Sequence, residues 1–332
     1  MYEDIFEVDE AGMHRKGNWL WWWWIFYYRQ PKETPKQLMI LWSTKNEKHI
    51  NCNGLDVRLR NEFIKRDDNS LNIDGVVAAW YYDGKQMHEN YLLDQTSVIV
   101  NSQSVKTGKP DSSFEVNSEG FEVKLRDLEF DVFNIQKNGF YAPQYRESKF
   151  PGTRYSYDIH KITRADFKAS NGSGTAYFQR VRVNAPAPPW YWGVHHFDNG
   201  EALHYYEPHF SSTLITDKAK PSWALPIKQE FEFYDGKRVH RNKSVRVKRE
   251  GSKEKPHFIV ESSGPAGKAR VVIKAYAAAA WRFNKSSFNR FTYNEYPSLV
   301  EEFRFKNASG EWTIDDLGTG YGNSEHSTGL LW

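Results

Sequence analysis

A single cysteine, Cys52, stands in a chain of 332 residues. It excludes an intrachain disulfide, and so sparing a use of cysteine fits a reducing compartment. An excess of one charge is missing too. The 45 basic and 42 acidic residues leave +3, too weak a field to imply a nucleic-acid partner. Long apolar runs are also absent. The longest, "WLWWWWIFYY" at residues 19–28, is about half of a membrane-spanning helix. The opening "MYEDIFEVDE" is acidic, without the basic start and apolar stretch of a secretory leader. Together these gaps predict a soluble, cytoplasmic protein.

Catalytic signatures are equally scarce. The sequence has no Gly-x-x-x-x-Gly-Lys phosphate loop, no Gly-x-Gly-x-x-Gly, no His-Glu-x-x-His and no Gly-x-Ser-x-Gly. Cys52 lacks the local signature of a thiol nucleophile. Nucleotide cofactors, zinc proteolysis and the commoner hydrolases lose support, and no cofactor or metal is expected.

What the chain does have is aromatic rings: 13 Trp, 19 Tyr and 21 Phe, or 16% of its residues. Such side chains fill wide cores, and they also wall ligand cavities. Sustained helical periodicity is nearly absent, whereas short alternating runs recur between turn residues. In "FEVKLRDLEFDVF", Phe121, Val123 and Leu125 share one phase while Leu128, Phe130 and Val132 share the other. The slip at Arg126-Asp127 predicts a bulge or bend, and Asp127, Glu129 and Asp131 are expected to face solvent. Asp83-Gly84, Asn199-Gly200 and Asp235-Gly236 predict tight two-residue hairpins. The expected fold is therefore all-β, an antiparallel barrel or sandwich. The run "KAYAAAAWRF" at 274–283 is the one place where a short helix is expected.

Length favours two domains of about 150 residues each. The least strand-like stretch, around 138–175, ends in "SNGSG". Its composition puts the boundary between domains 1–168 and 169–332. In the basic run 236–255, Val245 and Val247 alternate with Arg246 and Lys248, as on a strand with one wet face. Contact with an anionic membrane surface is the second reading.

The stretch "PPWYWGVHHFDNGEALHYYEPH", residues 188–209, concentrates the candidate chemistry. A two-residue turn at Asn199-Gly200 would pair Asp198 with Glu201 and carry the ladder outward to Trp192 and Glu207. One face would then hold Trp190, Trp192, Val194, His196, Leu203, Tyr205 and Glu207. The other would hold Tyr191, Gly193, His195, Phe197, Ala202, His204 and Tyr206. The first is the more apolar and is expected to face inward. That places Glu207 beside Trp192, where lost hydration raises its pKa toward that of a general acid. With the second face inward, His195, His204 and Tyr206 become the polar cluster. A surface histidine pair with a rim glutamate is the plain structural alternative.

"WWWWIFYYR" near the start, "AYFQRVRV" at 176–183, "WYWGVHHFDNGEALHYYE" and "GYGNSEHSTG" at 320–329 together resemble the carotenoid 1,2-hydratase and hydroxyneurosporene synthase family, also called AttH-like. The likeness covers most of the chain as an order of short landmarks. It implies two lipocalin-like β-barrel domains with an apolar tunnel or cleft, and a lyase that protonates, hydrates or cyclises an isoprenoid without a cofactor. Aromatic faces would stabilise the resulting cation. In that setting the hairpin supplies the catalytic candidates, Glu207 from one face or His204 and Tyr206 from the other. Trp190, Trp192, Tyr205, His195, His196, Arg180 and Glu325 would bind substrate, with Arg180 and Arg182 available to a phosphate or carboxylate head group and His326 as a further polar candidate. The sequence departs from the family where a His-x-Trp element is replaced by Arg180-Val181-Arg182.

Two other readings compete. A non-catalytic carrier of a hydrophobic ligand would have an apolar cavity with few convergent polar groups. A carbohydrate-active β-sandwich would need two carboxyls roughly 5–10 Å apart in an open cleft, for which Glu201 and Glu207 are the candidates.

Overall fold

Alternation becomes strand almost throughout. In the computed structural model the chain is 70% strand and 4% helix, the all-β antiparallel architecture its patterning predicts. All residues are described except 1, 30–33, 61–62, 110, 136–143, 151–152, 185–188, 211–222, 225–228, 287–289 and 331–332. The chain divides into two units, the first built from residues 1–83 and 88–186, the second from 84–87 and 187–331.

Ten strands close the first unit into a ring. In chain order they are β1 (Trp19–Tyr28), β2 (Gln37–Lys45), β3 (Ser70–Tyr82), β4 (Met87–Val100), β5 (Ser104–Thr107), β6 (Ser112–Val116), β7 (Phe121–Leu125), β8 (Leu128–Phe133), β9 (Thr153–Ala169) and β10 (Gly172–Asn184). Each pairs with its neighbour, except that β1 lies between β2 and β10, β3 bonds to β2, and β8 meets β9 to complete the circle. About eight strands enclose a space that ordinary side chains just fill; ten enclose more. Here aromatic rings supply the volume. Leu20, Trp22, Trp24, Phe26 and Tyr28 point inward from β1 against Phe114, Phe121, Phe130, Phe167 and Phe178. Phe26 stacks on Phe130 at 4.1 Å and Trp24 lies 4.7 Å from Phe178. The unusual aromatic content thus fills a wide core.

Residues 2–13 join this core. Tyr2, Ile5, Phe6 and Met13 are buried in it, and Trp22 donates its Nε1–H to the Ile5 carbonyl at 2.8 Å. Cys52 is buried, which pushes its thiol up to about 12 and keeps it from acting as a thiolate at neutral pH.

Three expectations need correction. The slip at Arg126-Asp127 is a two-residue hairpin between β7 and β8, with Leu125 opposite Leu128 and Arg126 at φ 56. Both phases therefore face the same interior. Glu129 and Asp131 stand exposed, as expected. The division at 168/169 falls instead in a hairpin: Gly172–Asn184 pairs with both β9 and β1, so Ser170 and Asn171 make a turn and the units part after residue 186. The alanine run does not form a helix. Its second half is strand Ala279–Asn284, because cross-strand pairing outweighs alanine's local helix preference.

The second unit is a nine-strand antiparallel sheet rolled around its own core. Its strands are β11 (Trp190–Phe197), β12 (Ala202–Phe210), β13 (Glu230–Tyr234), β14 (Val239–Asn242), β15 (Val245–Gly251), β16 (Pro256–Gly264), β17 (Gly267–Ala275), β19 (Arg290–Asn307) and β20 (Gly320–Leu330), in the order β14-β13-β12-β11-β20-β19-β17-β16-β15. Strand β18 (Ala279–Asn284) pairs with β19 alongside this path. Tyr191, Leu203, Phe231, Val247, Phe258, Val271 and Phe303, from all around the sheet, share one core. On β15, Val245 and Val247 are buried while Arg246 and Lys248 are exposed, the single wet face expected of this basic run.

Candidate functional site

The 188–209 hairpin forms where expected, but its register is one residue off. Gly200 adopts φ 109 and donates to the Phe197 carbonyl, while Phe197 donates to the Glu201 carbonyl. Three residues, Asp198 to Gly200, thus make the turn, in place of the two-residue turn read from Asn199-Gly200. Trp192 now faces Tyr206, and Tyr191 faces Glu207. A one-residue slip exchanges the faces of one strand relative to the other. Tyr191, Gly193, His195 and Phe197 therefore share the interior with Leu203, Tyr205 and Glu207. Trp190, Trp192, Val194 and His196 share the outer face with Ala202, His204 and Tyr206. Gly193 is needed in this register, because a Cβ there would lie 2.5 Å from the Tyr205 ring.

Glu207 is 1% exposed, and burial pushes its carboxyl up to about 7 against the bonds from Val247 and Arg246. The expected direction holds, but the surroundings differ from those expected. Its Oε2 accepts the Val247 backbone N–H at 2.6 Å, and Arg246 reaches Oε1 at 3.4 Å. Gln229 accepts from Val245 N–H in the same way, and Asn242 Nδ2 donates to the Gly267 carbonyl. Glu207 thus ties β15 to β12, with which it forms no ladder, and Asn242 ties β14 to β17 in the same way. Glu207→Ala would strand a buried backbone N–H and is expected to cost about 1–3 kcal/mol in denaturant unfolding. Glu207→Gln keeps an acceptor and should stay within about 1 kcal/mol of wild type; equal losses in both would remove the tying role.

The other interior candidates are also engaged. His195 Nε2 lies 3.0 Å from Ser298 Oγ, and burial lowers its pKa to about 3, so it is neutral. Tyr205 donates to Ser324 Oγ at 2.9 Å. Tyr191 packs against His209 and His326, with ring centroids 4.6 and 4.5 Å away, and the two imidazoles lie 5.5 Å from each other; burial lowers both of them. Arg180 belongs to the first unit, where it bonds Asp158 Oδ2 at 2.5 Å and the Glu7 carbonyl. It is only 2% exposed, so its guanidinium serves these internal partners in place of the expected head group. Arg182 pairs with Asp9.

The outer face holds the residues that converge. Cross-strand pairing aligns Glu230 on β13, Tyr206 on β12, Trp192 on β11, Glu325 on β20, Glu295 on β19 and Ala279 on β18 in a single row. Glu325 and Glu295 are directly opposite and share a side-chain hydrogen bond. They are 4% and 3% exposed, although glutamate is seldom buried unless paired. Burial raises Glu295 well above its usual range, and the charge of Glu325 adds to this. Burial pushes Glu325 up to about 7, while bonds from Trp190 and Glu295 pull it down. Trp190 Nε1 donates to Glu325 Oε2 at 3.0 Å, and Asn323 Nδ2 donates to Glu295 Oε2 at 2.5 Å.

Glu295, the weaker acid, keeps the shared proton and donates it to Glu325. Aromatic faces flank the pair. Trp190 lies 5.2 Å from Tyr293 and 5.3 Å from Phe291, and the Tyr293 hydroxyl is held neutral by burial and by both carboxyls. With both carboxyls protonated, two buried acid protons lie beside electron-rich rings, an arrangement that can deliver a proton to carbon and hold the charge that follows.

Of the sequence candidates, Trp190, Trp192, His196, His204, Tyr206 and Glu325 lie on this face. Glu295, Tyr293 and Asn323 were missed. The signal for Glu295 was present: between Phe291 and Leu299 it is the lone acid in the phase Phe291, Tyr293, Pro297, Leu299. No family model and no curated protein matches the chain.

Proposed function

We propose that the protein is a cofactor-free acid catalyst acting on an apolar, isoprenoid-like substrate at the outer face of the second unit, by hydration, cyclisation or isomerisation. The observation that supports this reading is the buried Glu295–Glu325 pair, which holds protons near neutral pH among indole and phenol rings. The resemblance to carotenoid hydratases supports the substrate class. Glu325 is the acid. It transfers its proton to an alkene carbon and forms a C–H bond; the π electrons supply that bond and leave a tertiary cation. Trp190 N–H and Glu295 O–H stabilise the Glu325 carboxylate. The cation faces the rings of Trp190, Trp192 and Tyr293. Water then attacks it, and its spare proton returns to Glu325, so the acid is restored.

The test is incubation of the purified chain with an acyclic polyprene in micelles, followed by mass spectrometry of the lipid. A product heavier by one water, or an isomer with shifted retention, is expected. Retention of unaltered polyprene on the protein in native mass spectrometry would favour the carrier reading. Neither conversion nor retention would overturn both.

A further inference from the structure

We infer that the second unit carries a divalent-cation site formed by His204, Glu230 and Glu232. The three residues lie on neighbouring strands with their side chains on one face, since His204 pairs with Glu232 across the ladder and Glu230 is two residues along the same strand. One ligating atom from each lies within 4.8 Å of the others, and exposures are 5%, 8% and 1%. The spacing separates this cluster from an ordinary ion pair. His204 Nδ1 is 3.5 Å from Glu232 Oε2 and 3.8 Å from Glu230 Oε1. Both separations are too long for a hydrogen bond, which for such atoms lies near about 2.8 Å. The first matches the distance of roughly 3.3–3.6 Å between two ligands bound at about 2.1 Å around one ion, and the second lies just beyond it.

The second carboxylate oxygen of Glu232 strengthens the assignment. Oε1 accepts from Arg241 Nε at 2.7 Å, while Oε2 is the atom turned to His204. A cation-bound carboxylate held by an outer partner through its other oxygen is the usual support of a metal ligand. One imidazole nitrogen and two carboxylate oxygens suit a first-row divalent ion such as zinc, with coordination positions left for water or substrate. The row Glu230–Tyr206–Trp192–Glu325 separates this site from the acid pair by three strand spacings, about 14 Å. The inference does not depend on the proposed acid chemistry.

The test uses the full chain, stripped with a chelator and titrated with Zn²⁺ by calorimetry and with Co²⁺ by visible absorption. One equivalent of each ion is expected to bind, Co²⁺ with ligand-field bands. His204→Ala and Glu230→Gln should each weaken binding at least tenfold. The glutamine amide is isosteric with the Glu230 carboxylate, so Glu230→Gln decides if His204→Ala fails to fold. No stoichiometric binding by the wild-type chain, or binding unchanged in the folded variants, would overturn the inference.

Discussion

Glu325→Gln is expected to lower turnover of an isoprenoid substrate by roughly 10²–10⁴-fold, the usual worth of a positioned general acid. An amide of the same shape keeps the bond from Trp190 Nε1 but has no acidic proton to give. Glu295→Gln should be far milder, within about tenfold, because its amide still donates a hydrogen bond to the Glu325 carboxylate formed during the reaction. The pH profile carries the same logic with a definite sign. Glu325 must be protonated to act, and burial places its pKa near about 7. Wild-type rate should be level below that value and fall about tenfold per pH unit above it. Steady-state rates between pH 5 and 9 measure this limb. A Glu325→Gln enzyme retaining more than a tenth of wild-type turnover would remove this residue as the acid.

The same carboxyl should weigh on stability. Its ordinary pKa of 4.5 is raised to about 7 in the folded chain, so the folded state holds the proton more tightly than the unfolded one. The favourable contribution is complete below the unfolded value and is lost as pH rises through the folded one. Between those limits the loss amounts to about 3 kcal/mol. Glu325→Gln removes that loss. The variant is expected to melt roughly 5–10 °C above wild type at pH 8, with the gap closing at pH 5. The buried imidazoles oppose this trend in both proteins. His195 and His209 are lowered to about 3 and about 4, so they cost stability as pH falls below their unfolded pKa near 6.5. Melting curves of both proteins at the two pH values check the difference. A gap that is the same at pH 5 and pH 8 would mean that Glu325 titrates as an ordinary carboxylate.

Much of the architecture was legible because alternation needs only local information. The strand character of "WWWWIFYYR" and the wet face of Arg246 and Lys248 follow from period two alone. What was not legible depended on counts of one. Whether Asp198 joins Asn199 and Gly200 in the turn decides which strand face of Glu207 meets which face of Trp192, and nothing short of the three-dimensional ladder settles it. At Arg126-Asp127 the sequence offered no glycine to mark a hairpin, so the phase change read as a bulge. The site was half legible for a related reason. Glu325 was named from a motif, but its partner Glu295 lies thirty residues earlier and meets it only through the β19–β20 register. Ala279, read as helical, is the small residue opposite that partner.

The order in which the first unit's strands meet has a bearing on its synthesis. Strand β1 bonds to β10, so the circle cannot shut until about residue 184 has left the ribosome. Until then the inward row of Trp22, Trp24 and Phe26 has only half its lining, and an aromatic strand with an open edge invites association with other nascent chains. The long-range closure also makes for slow folding. A cell that makes this protein quickly would therefore need a chaperone, or a pause in translation, between Trp24 and the strand that finally covers it.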